Sequence, residues 1–203
     1  MTTAIPNAFD LPAGDAHLRE HATHSTPLAS GDFLKLVRDD VRLPNGLHAT
    51  REYLLHPGAV MVIALLDDGR VLLERQYRHP VGHALFELPA GKLDEGEDVL
   101  ACAARELREE TGCSANHWAV AARMHPCIGY ANEVIHIVFA KGITQGEQSL
   151  DEGELLDVCA ATSEQLMAMV ADGRITDGKT LSGLLWLQNV LNGAWPLTWT
   201  NSP

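Results

Sequence analysis

The sequence predicts an α+β fold in which strands and helices form a sandwich. Three observations indicate it: short strand-like runs fill the first half of the chain, one amphipathic helix follows in the middle, and two helical segments lie near the end. Hydrophobic residues make up 46% of the 203 residues and charged residues 21%. That composition supports a core and excludes a wholly disordered chain.

The predicted strands lie between turn signals. In chain order they cover Phe33–Val37, His48–Leu55, Ala59–Leu66, Val71–Tyr77, Ala84–Leu88, Trp118–Met124, Val134–Ala140 and Glu154–Ala160. The turn signals are Leu43-Pro44-Asn45-Gly46 after the first strand and Asp67-Asp68-Gly69 between two later ones. Apolar and polar residues alternate along the strands around these turns, and this alternation predicts an antiparallel meander.

Three helices are predicted. They cover Asp98–Thr111, about Ser163–Ala171 and Asp177–Asn192. The first has Asp98 near its N-terminus and Gly112 at its end, both residue types typical of helix caps. Val99, Ala103 and Leu107 form its apolar stripe.

Composition divides the chain into four segments. Residues 1–31 are rich in Thr, Ser, Pro, Ala and His and are predicted to form a mobile N-terminal arm. Residues 32–57 hold the N-terminal strands, 58–192 form the main domain, and 193–203 are a tail. Three histidines in the arm, His17, His21 and His24, would share one face of a helix; we interpret them as a solvated surface rather than a metal site.

Charge and cysteine content exclude several classes of protein. Fifteen Lys plus Arg against 27 Asp plus Glu give a net charge of −12, which argues against binding to nucleic acid or to anionic membranes. The longest apolar run, Ala59–Leu66, is too short to cross a bilayer, and no secretory signal is visible. Four scattered cysteines without a CxxC pair favour free thiols in a reducing cytoplasm.

An acidic cluster on the first helix carries the functional signal. Glu106, Glu109 and Glu110 are spaced i, i+3 and i+4, which places three carboxylates on one helix face. Like charges at this spacing repel, and a divalent cation such as Mg²⁺ would relieve the repulsion with hard oxygen ligands. The alternative is an acidic surface exposed to water.

Two neighbouring features weigh against that alternative. Arg105 and Arg108 on the same helix can orient the carboxylates. The preceding loop, Leu88–Gly91, turns sharply, and Gly91 would let the carbonyl of Ala90 face an ion.

This segment resembles the Nudix box, the signature of hydrolases that act on nucleoside diphosphates linked to another group. The matching positions are Gly91, Glu97, Arg105, Glu106, Leu107, Glu109, Glu110 and Gly112. Cys113 departs from the pattern, which has an aliphatic residue there, and a buried Cys packs similarly.

The flanking segments resemble the ADP-ribose pyrophosphatase branch of that family. They are Leu73–Arg78, Glu87–Lys92, Gly129–Glu133 and Asp151–Glu154. The likeness covers Asp32 to Asn192, and hydrolases of GDP-mannose share much of it.

The resemblance implies a fold and an assembly. The fold is a Nudix-type α/β/α sandwich with a mixed sheet, plus N-terminal antiparallel strands. The branch forms homodimers in which residues equivalent to 33–55 are exchanged between subunits.

The resemblance also implies an activity. A small-molecule nucleoside diphosphate sugar, ADP-ribose, would be cleaved to AMP and ribose 5-phosphate with Mg²⁺ as the cofactor and Mn²⁺ as a substitute. Three alternatives stay open: a hydrolase of another nucleotide sugar such as GDP-mannose, a non-catalytic ADP-ribose sensor, and an RNA-end hydrolase. The complete box and the negative charge argue against the last two.

Site roles follow from the same resemblance. The implied metal ligands are Ala90 through its carbonyl, Glu106, Glu110 and Glu154. The implied catalytic set is Glu152 as the base that deprotonates water, Glu109 and Arg105. Arg105 also pairs with Glu97 to hold loop and helix together. Glu152 and Glu154 share one loop, and the sequence leaves open which of the two is the base.

Four further residues are implied to bind substrate. Arg51 and Glu52 would meet the adenine, Arg78 a phosphate, and Glu133 the terminal ribose. The alternative for the first three is ordinary surface charge on a strand.

Overall fold

A computed structural model describes residues 7–11 and 13–201. The chain divides into two compact units, Met1–Leu55 and His56–Pro203. A short 3-10 helix, Ala8–Asp10, lies in the first unit, and its cap Asn7 accepts a hydrogen bond from the Phe9 amide at 3.0 Å. Residues 1–6 and Pro12, which belong to the predicted arm, lie outside the described residues.

The first unit is a three-stranded antiparallel sheet. Its strands are β1 His21–Ser30, β2 Lys35–Arg42 and β3 His48–Leu55, in the order β1-β2-β3. Side chains of β2 point alternately to the two faces of the sheet, and Val37 and Val41 are buried on one of them. The strand therefore runs through the charged stretch that follows the predicted Phe33–Val37 segment, because charged residues at alternate positions face water.

Strand β1 was not expected, because the sequence indicated an arm without regular structure there. All ten of its residues are exposed, so it has no apolar alternation to reveal it. Backbone pairing with β2 holds it, and a register shift follows Pro27, which has no amide hydrogen to donate. His21 and His24 consequently lie on a strand and not on a shared helix face. The mobility of residues 1–31 stays a prediction.

The second unit contains a seven-stranded mixed sheet. Its strands are β4 Ala59–Leu65, β5 Arg70–Arg78, β6 His83–Glu87, β7 Ala90–Lys92, β8 Cys113–Met124, β9 Ile135–Gln145 and β10 Leu156–Thr162. The main order is β10-β5-β4-β9-β8, with β6 beside β5 and β7 beside β4. Only β4 and β9 pair in parallel; the other pairings among the described strands are antiparallel.

Three helices cover the two faces of this sheet: α1 Val99–Thr111, α2 Ser163–Ala171 and α3 Gly178–Leu191. Alternate residues of β4 belong to different cores. Val60 and Val62 pack in the cluster that contains Leu107 of α1, whereas Met61 and Ile63 pack in the cluster that contains Leu166 of α2 and Leu187 of α3. The continuous apolar run of β4 therefore reflects burial on both faces, and the predicted α+β sandwich with a mixed sheet is confirmed.

Some element boundaries differ from the prediction. Strand β7 was missed because it has three residues, one of them Gly, and is held by backbone pairing with β4. Strand β8 begins at Cys113 rather than Trp118, since its first residues pair with the polar end of β9. Among the described helices, none is both long and apolar enough to cross a bilayer.

Candidate active site

Helix α1 begins and ends at strong caps. The Asp98 carboxylate accepts hydrogen bonds from the amides of Leu100 and Ala101, at 2.9 and 3.3 Å. Gly112 ends the helix with φ of +71° and lies so close to the 146–148 backbone that a Cβ there would be 2.8 Å from Gly146 O. These caps set the ends of α1, and burial of Ala103 and Leu107 in the core sets its rotation and thus the direction of its acidic face.

Arg105 on α1 binds three carboxylates at once. Its guanidinium donates twice to Glu97, with both distances 2.9 Å. It also donates to Glu106 at 2.8 Å and to Glu109 at 3.1 Å, and it reaches the Lys92 carbonyl at 3.0 Å. The expected pairing of Glu97 with Arg105 is therefore present, and it ties the helix to the loop before it.

Gly91 makes room for the Glu106 carboxylate. A Cβ built on Gly91 would lie 1.9 Å from Cδ of Glu106 and 2.0 Å from its Oε1. The φ angle of Gly91 is not positive, so the requirement is space and not backbone conformation. The glycine of the motif therefore lets the β7 backbone approach a carboxylate closely.

Glu110 is held by strand β7 as well. Its Oε2 accepts the Ala90 amide at 3.0 Å, and the residue is 5% exposed. Burial raises the pKa of Glu110, and the neighbouring charges of Glu74 and Glu106 raise it further. Burial raises the pKa of Glu106 as well, against the lowering effect of Arg105.

Glu74 is a site residue that the sequence reasoning missed. It lies on β5, is fully buried, and neither of its carboxylate oxygens finds a hydrogen-bond donor within the described chain. Burial raises its pKa, and the charge of Glu87 adds to the effect. One sequence signal was available: Glu74 has the same strand parity as Leu72, which faces the core beneath α1.

Glu87 is the register partner of Glu74 on β6 and differs from it in having cations. Arg78 donates to its two oxygens at 2.8 and 2.9 Å, and the Lys179 ammonium makes a further hydrogen bond. Arg78, predicted to bind a phosphate, is thus engaged with a buried carboxylate while its side chain stays 37% exposed. Its role toward phosphate stays a prediction.

The first turn of α3 supports the loop that carries Ala90. Asp177 caps the helix by accepting the Thr180 amide at 2.9 Å, and its carboxylate also lies 3.0 Å from Lys179 Nζ. The buried Thr180 hydroxyl accepts the Leu88 amide at 3.0 Å. The strand end before Ala90 is therefore fixed from the sheet face opposite α1.

The predicted base and its neighbour lie on the turn before β10. The Glu154 amide donates to the Asp151 carbonyl at 3.0 Å, and Gly153 has φ of +90°. The Glu154 charge contributes to the raised pKa of Glu106, whereas Glu152 is exposed. The two roles stay predictions.

Arg51 and Glu52 lie on β3 in the first unit, each with an ionic partner there. Arg51 donates to the Glu20 carboxylate, with Nε at 2.9 Å, and Arg38 donates to Glu52 at 2.8 and 2.6 Å. The partners are exposed and easily exchanged for a ligand. Glu133, in the second unit, lines a cavity beside Ala90 and Gly91.

The oxygen donors fit a hard divalent cation, although they are not assembled as ligands. Within residues 7–11 and 13–201, no three His, Cys, Asp or Glu side chains converge to hold a metal ion. Arg105 engages Glu106, and the Ala90 amide engages Glu110. Glu74 and Glu110 nevertheless lie buried with no ion pair of their own among the described residues. Arg78 and Lys179 pair with Glu87, and their charges offset only part of the rise in the Glu74 pKa. A hard cation would supply the missing charge.

Comparisons with known proteins agree with this architecture. A family model described as the NUDIX domain matches residues 55–183. The methanol dehydrogenase activator of Bacillus methanolicus is 39% identical over 173 residues, which cover 83% of this chain and 92% of that protein. The ADP-ribose pyrophosphatase of Bacillus subtilis strain 168 is 35% identical over 173 residues, covering 84% and 94%.

A solved structure supports the fold. The crystal structure of an ADP compounds hydrolase superposes with a TM-score of 0.78 at 23% identity, covering 86% of this chain and 95% of that one. The extent of the family match and the identity to full-length relatives confirm the resemblance predicted from residues 91–112: the chain belongs to the NUDIX domain family.

Proposed function

We propose that the chain is a Mg²⁺-dependent hydrolase that cleaves ADP-ribose with water to AMP and ribose 5-phosphate. The observation that carries the proposal is the complete acidic motif, in which Glu110 is buried beside an unpartnered Glu74. Buried carboxylates without a counter-charge are costly, and a site that binds a divalent cation explains them. The pyrophosphatase relative in Bacillus subtilis supports the choice of substrate.

The cation would be held by Glu106, Glu110, Glu154 and the Ala90 carbonyl, with Mn²⁺ as a substitute for Mg²⁺. When bound, it would neutralise charge on the pyrophosphate oxygens and lower the pKa of bound water. The chain's own residues prepare that site. Arg105 orients Glu106 and Glu109, and Gly91 leaves the space that the Glu106 carboxylate occupies.

Glu152 acts as the base in this proposal. It takes a proton from the attacking water, and the water oxygen bonds to one phosphorus of the pyrophosphate. The bond between that phosphorus and the bridging oxygen breaks, and the bridging oxygen leaves with the other phosphate. The position of Glu152 on an exposed turn with Gly153 suits a group that approaches after substrate binds. Arg51 and Glu52 bind the adenine, Arg78 a phosphate, and Glu133 the terminal ribose.

The branch likeness further supports a homodimer with exchanged strands from residues 33–55. The substrate partner is then a small nucleoside diphosphate sugar, without nucleic acid or membrane. The cytoplasmic location suggested by four free cysteines stays a prediction.

A product assay tests the proposed reaction. The chain is incubated with ADP-ribose and Mg²⁺, and products are separated by chromatography, with GDP-mannose and other nucleoside diphosphate sugars assayed in parallel. We expect AMP and ribose 5-phosphate, formed fastest from ADP-ribose. Preferential cleavage of GDP-mannose would replace the substrate, and binding of ADP-ribose without products would favour a sensor.

A pair of loop variants tests the base. E152Q should lower kcat by about two orders of magnitude, within the range for loss of a general base, while Mn²⁺ and substrate still bind. E154Q should weaken Mn²⁺ binding, measured by electron paramagnetic resonance. The reverse pattern would exchange the two roles.

A further inference from the structure

A small cavity lies beside the Ala90–Lys92 strand in the second unit. Its volume is about 140 Å³, and its lining includes His56, Glu133, Lys179 and the β7 residues. Glu133 is the carboxylate of this lining, and its side chain is 21% exposed. A carboxylate held at such a wall can accept hydrogen bonds from the hydroxyl groups of a sugar.

His56 contacts two consecutive residues of the loop that carries this carboxylate. Its backbone amide donates to Oδ1 of Asn132 at 2.8 Å. Its imidazole Nε2 lies 3.5 Å from Oε1 of Glu133, with the His56 side chain only 12% exposed. His56 therefore contacts this loop at two side chains, the amide of Asn132 and the carboxylate of Glu133.

The ring has a defined orientation and tautomer. Nδ1 of His56 accepts the Gly58 amide at 3.1 Å, so the neutral ring carries its proton on Nε2, toward Glu133. Burial lowers the pKa of His56, with the Lys92 charge acting in the same direction and the Glu133 charge opposing it. The imidazole Nε2 thus faces Oε1 of Glu133 at 3.5 Å.

We propose that His56 is a positioning residue that aims the Glu133 carboxylate at the hydroxyl groups of the substrate's terminal sugar. The inference rests on the proposed function, since the cavity borders the loop of the proposed metal site. His56 touches no reacting atom in this arrangement. Its loss should therefore affect substrate binding more than the chemical step.

Two substitutions separate the functions of the ring. In H56N the amide oxygen still accepts the Gly58 N–H, but the shorter side chain does not reach Glu133. In H56Q the longer side chain places an N–H donor near the position of Nε2. H136N serves as the matched control, because His136 on β9 is also partly buried with a pKa lowered by burial.

Steady-state kinetics with ADP-ribose and Mg²⁺ provide the test. H56N should raise KM roughly tenfold, the order expected when a polar contact to a charged group is lost, with kcat almost unchanged. H56Q and H136N should stay near wild type. The effect of H56N should vanish in an E133Q background, because the carboxylate it aims is already lost.

Other results would overturn the proposal. They are a loss of kcat without a rise in KM, H56Q as impaired as H56N, or a full H56N effect in E133Q. If H56N does not fold, the test uses H56Q and E133Q. The proposal then requires that the KM of H56Q stays near the wild-type value and that the KM of E133Q rises. If wild type does not cleave ADP-ribose, the proposed substrate fails, and the same variants decide the inference on whichever nucleotide sugar of the panel is cleaved.

Discussion

Two groups of carboxylates around helix α1 lie in opposite conditions. Glu97 receives two hydrogen bonds from Arg105 and one from the Asp94 amide. In the second group, Glu74 and Glu110 are both buried. The Ala90 amide donates to Glu110, and no hydrogen-bond partner of the Glu74 carboxylate is found among the described residues. The residues of both groups lie on α1, on the loop before it, or on β5.

The pKa values reflect this difference. The hydrogen bonds from Arg105 lower the pKa of Glu97 to about 2. Burial raises the pKa of both Glu74 and Glu110; the charge of Glu87 adds to the rise at Glu74, and the charges of Glu74 and Glu106 add to it at Glu110. A carboxylate with a resident cation stabilises the fold. A buried pair of carboxylates without such a cation destabilises the fold, and groups of this kind are typical of a functional site.

Neutralising Glu110 should have the largest effect on activity. In E110Q the side-chain oxygen still accepts the Ala90 amide, but the charge is lost. We expect kcat to fall by two to three orders of magnitude, the size of losing a preorganised electrostatic contact. The measurement is ADP-ribose turnover with Mg²⁺. The control is E95Q, because Glu95 is an exposed residue of the loop before α1.

The same variant should be more stable without metal, because folding no longer buries an ionisable carboxyl group at position 110 and no longer brings it against Glu74. A gain of about 1 kcal/mol corresponds to roughly 2–4 °C in a domain of this size. Thermal unfolding in EDTA checks it. Unchanged turnover would remove Glu110 from the proposed metal site, and a lower melting temperature would contradict the repulsion.

Displacing Glu106 without changing its charge should have a smaller effect. In G91A the new methyl group occupies the space of the Glu106 carboxylate, so that side chain must move away from Arg105. We expect activity to fall about 10- to 100-fold, as for other residues that orient a ligand. Kinetics and Mn²⁺ binding provide the readout.

The control for this substitution is G178A. Gly178 also has no positive φ, and a Cβ there meets nothing within 4 Å. It should retain wild-type activity. If G91A were equally active, the close approach of Gly91 to Glu106 would have no functional role.

The local part of the site was predictable because helical spacing places residues three and four apart on one face. The shared face of Glu106, Glu109 and Glu110 follows from this rule, as does the pairing of Arg105 with Glu109. Glu74 and Lys179 do not, since sheet pairing and helix packing bring them into place; Lys179 and Glu87 are separated by 92 positions. The alternation of side chains along β5 predicts that Glu74 faces inward, but it does not show which residues Glu74 meets there.

The fold shows the same division. β4 was predictable from its apolar run, which two cores require. β1 was not, because its ten residues are exposed and only backbone pairing defines it. Burial leaves a pattern in the sequence, whereas backbone hydrogen bonds between exposed residues leave none.

Neutralising Glu97, the carboxylate with a resident cation, should have the smallest effect on turnover and should act on stability instead. E97Q loses the charge that receives two Arg105 hydrogen bonds, and we expect a loss of about 1–2 kcal/mol with kcat reduced only several-fold. Thermal unfolding of E97Q and wild type, with E95Q as the control, measures the difference.

The pH dependence of that difference has a defined sign. Because the pKa of Glu97 falls from 4.5 to about 2 on folding, the native state favours its charged form. The stabilisation is present above pH 4.5 and is lost as pH falls toward 2. The gap between wild type and E97Q should therefore be widest near neutral pH and narrow in acid, and a gap of equal size at pH 3 and pH 7 would show that lost packing, and not lost charge, destabilises the variant.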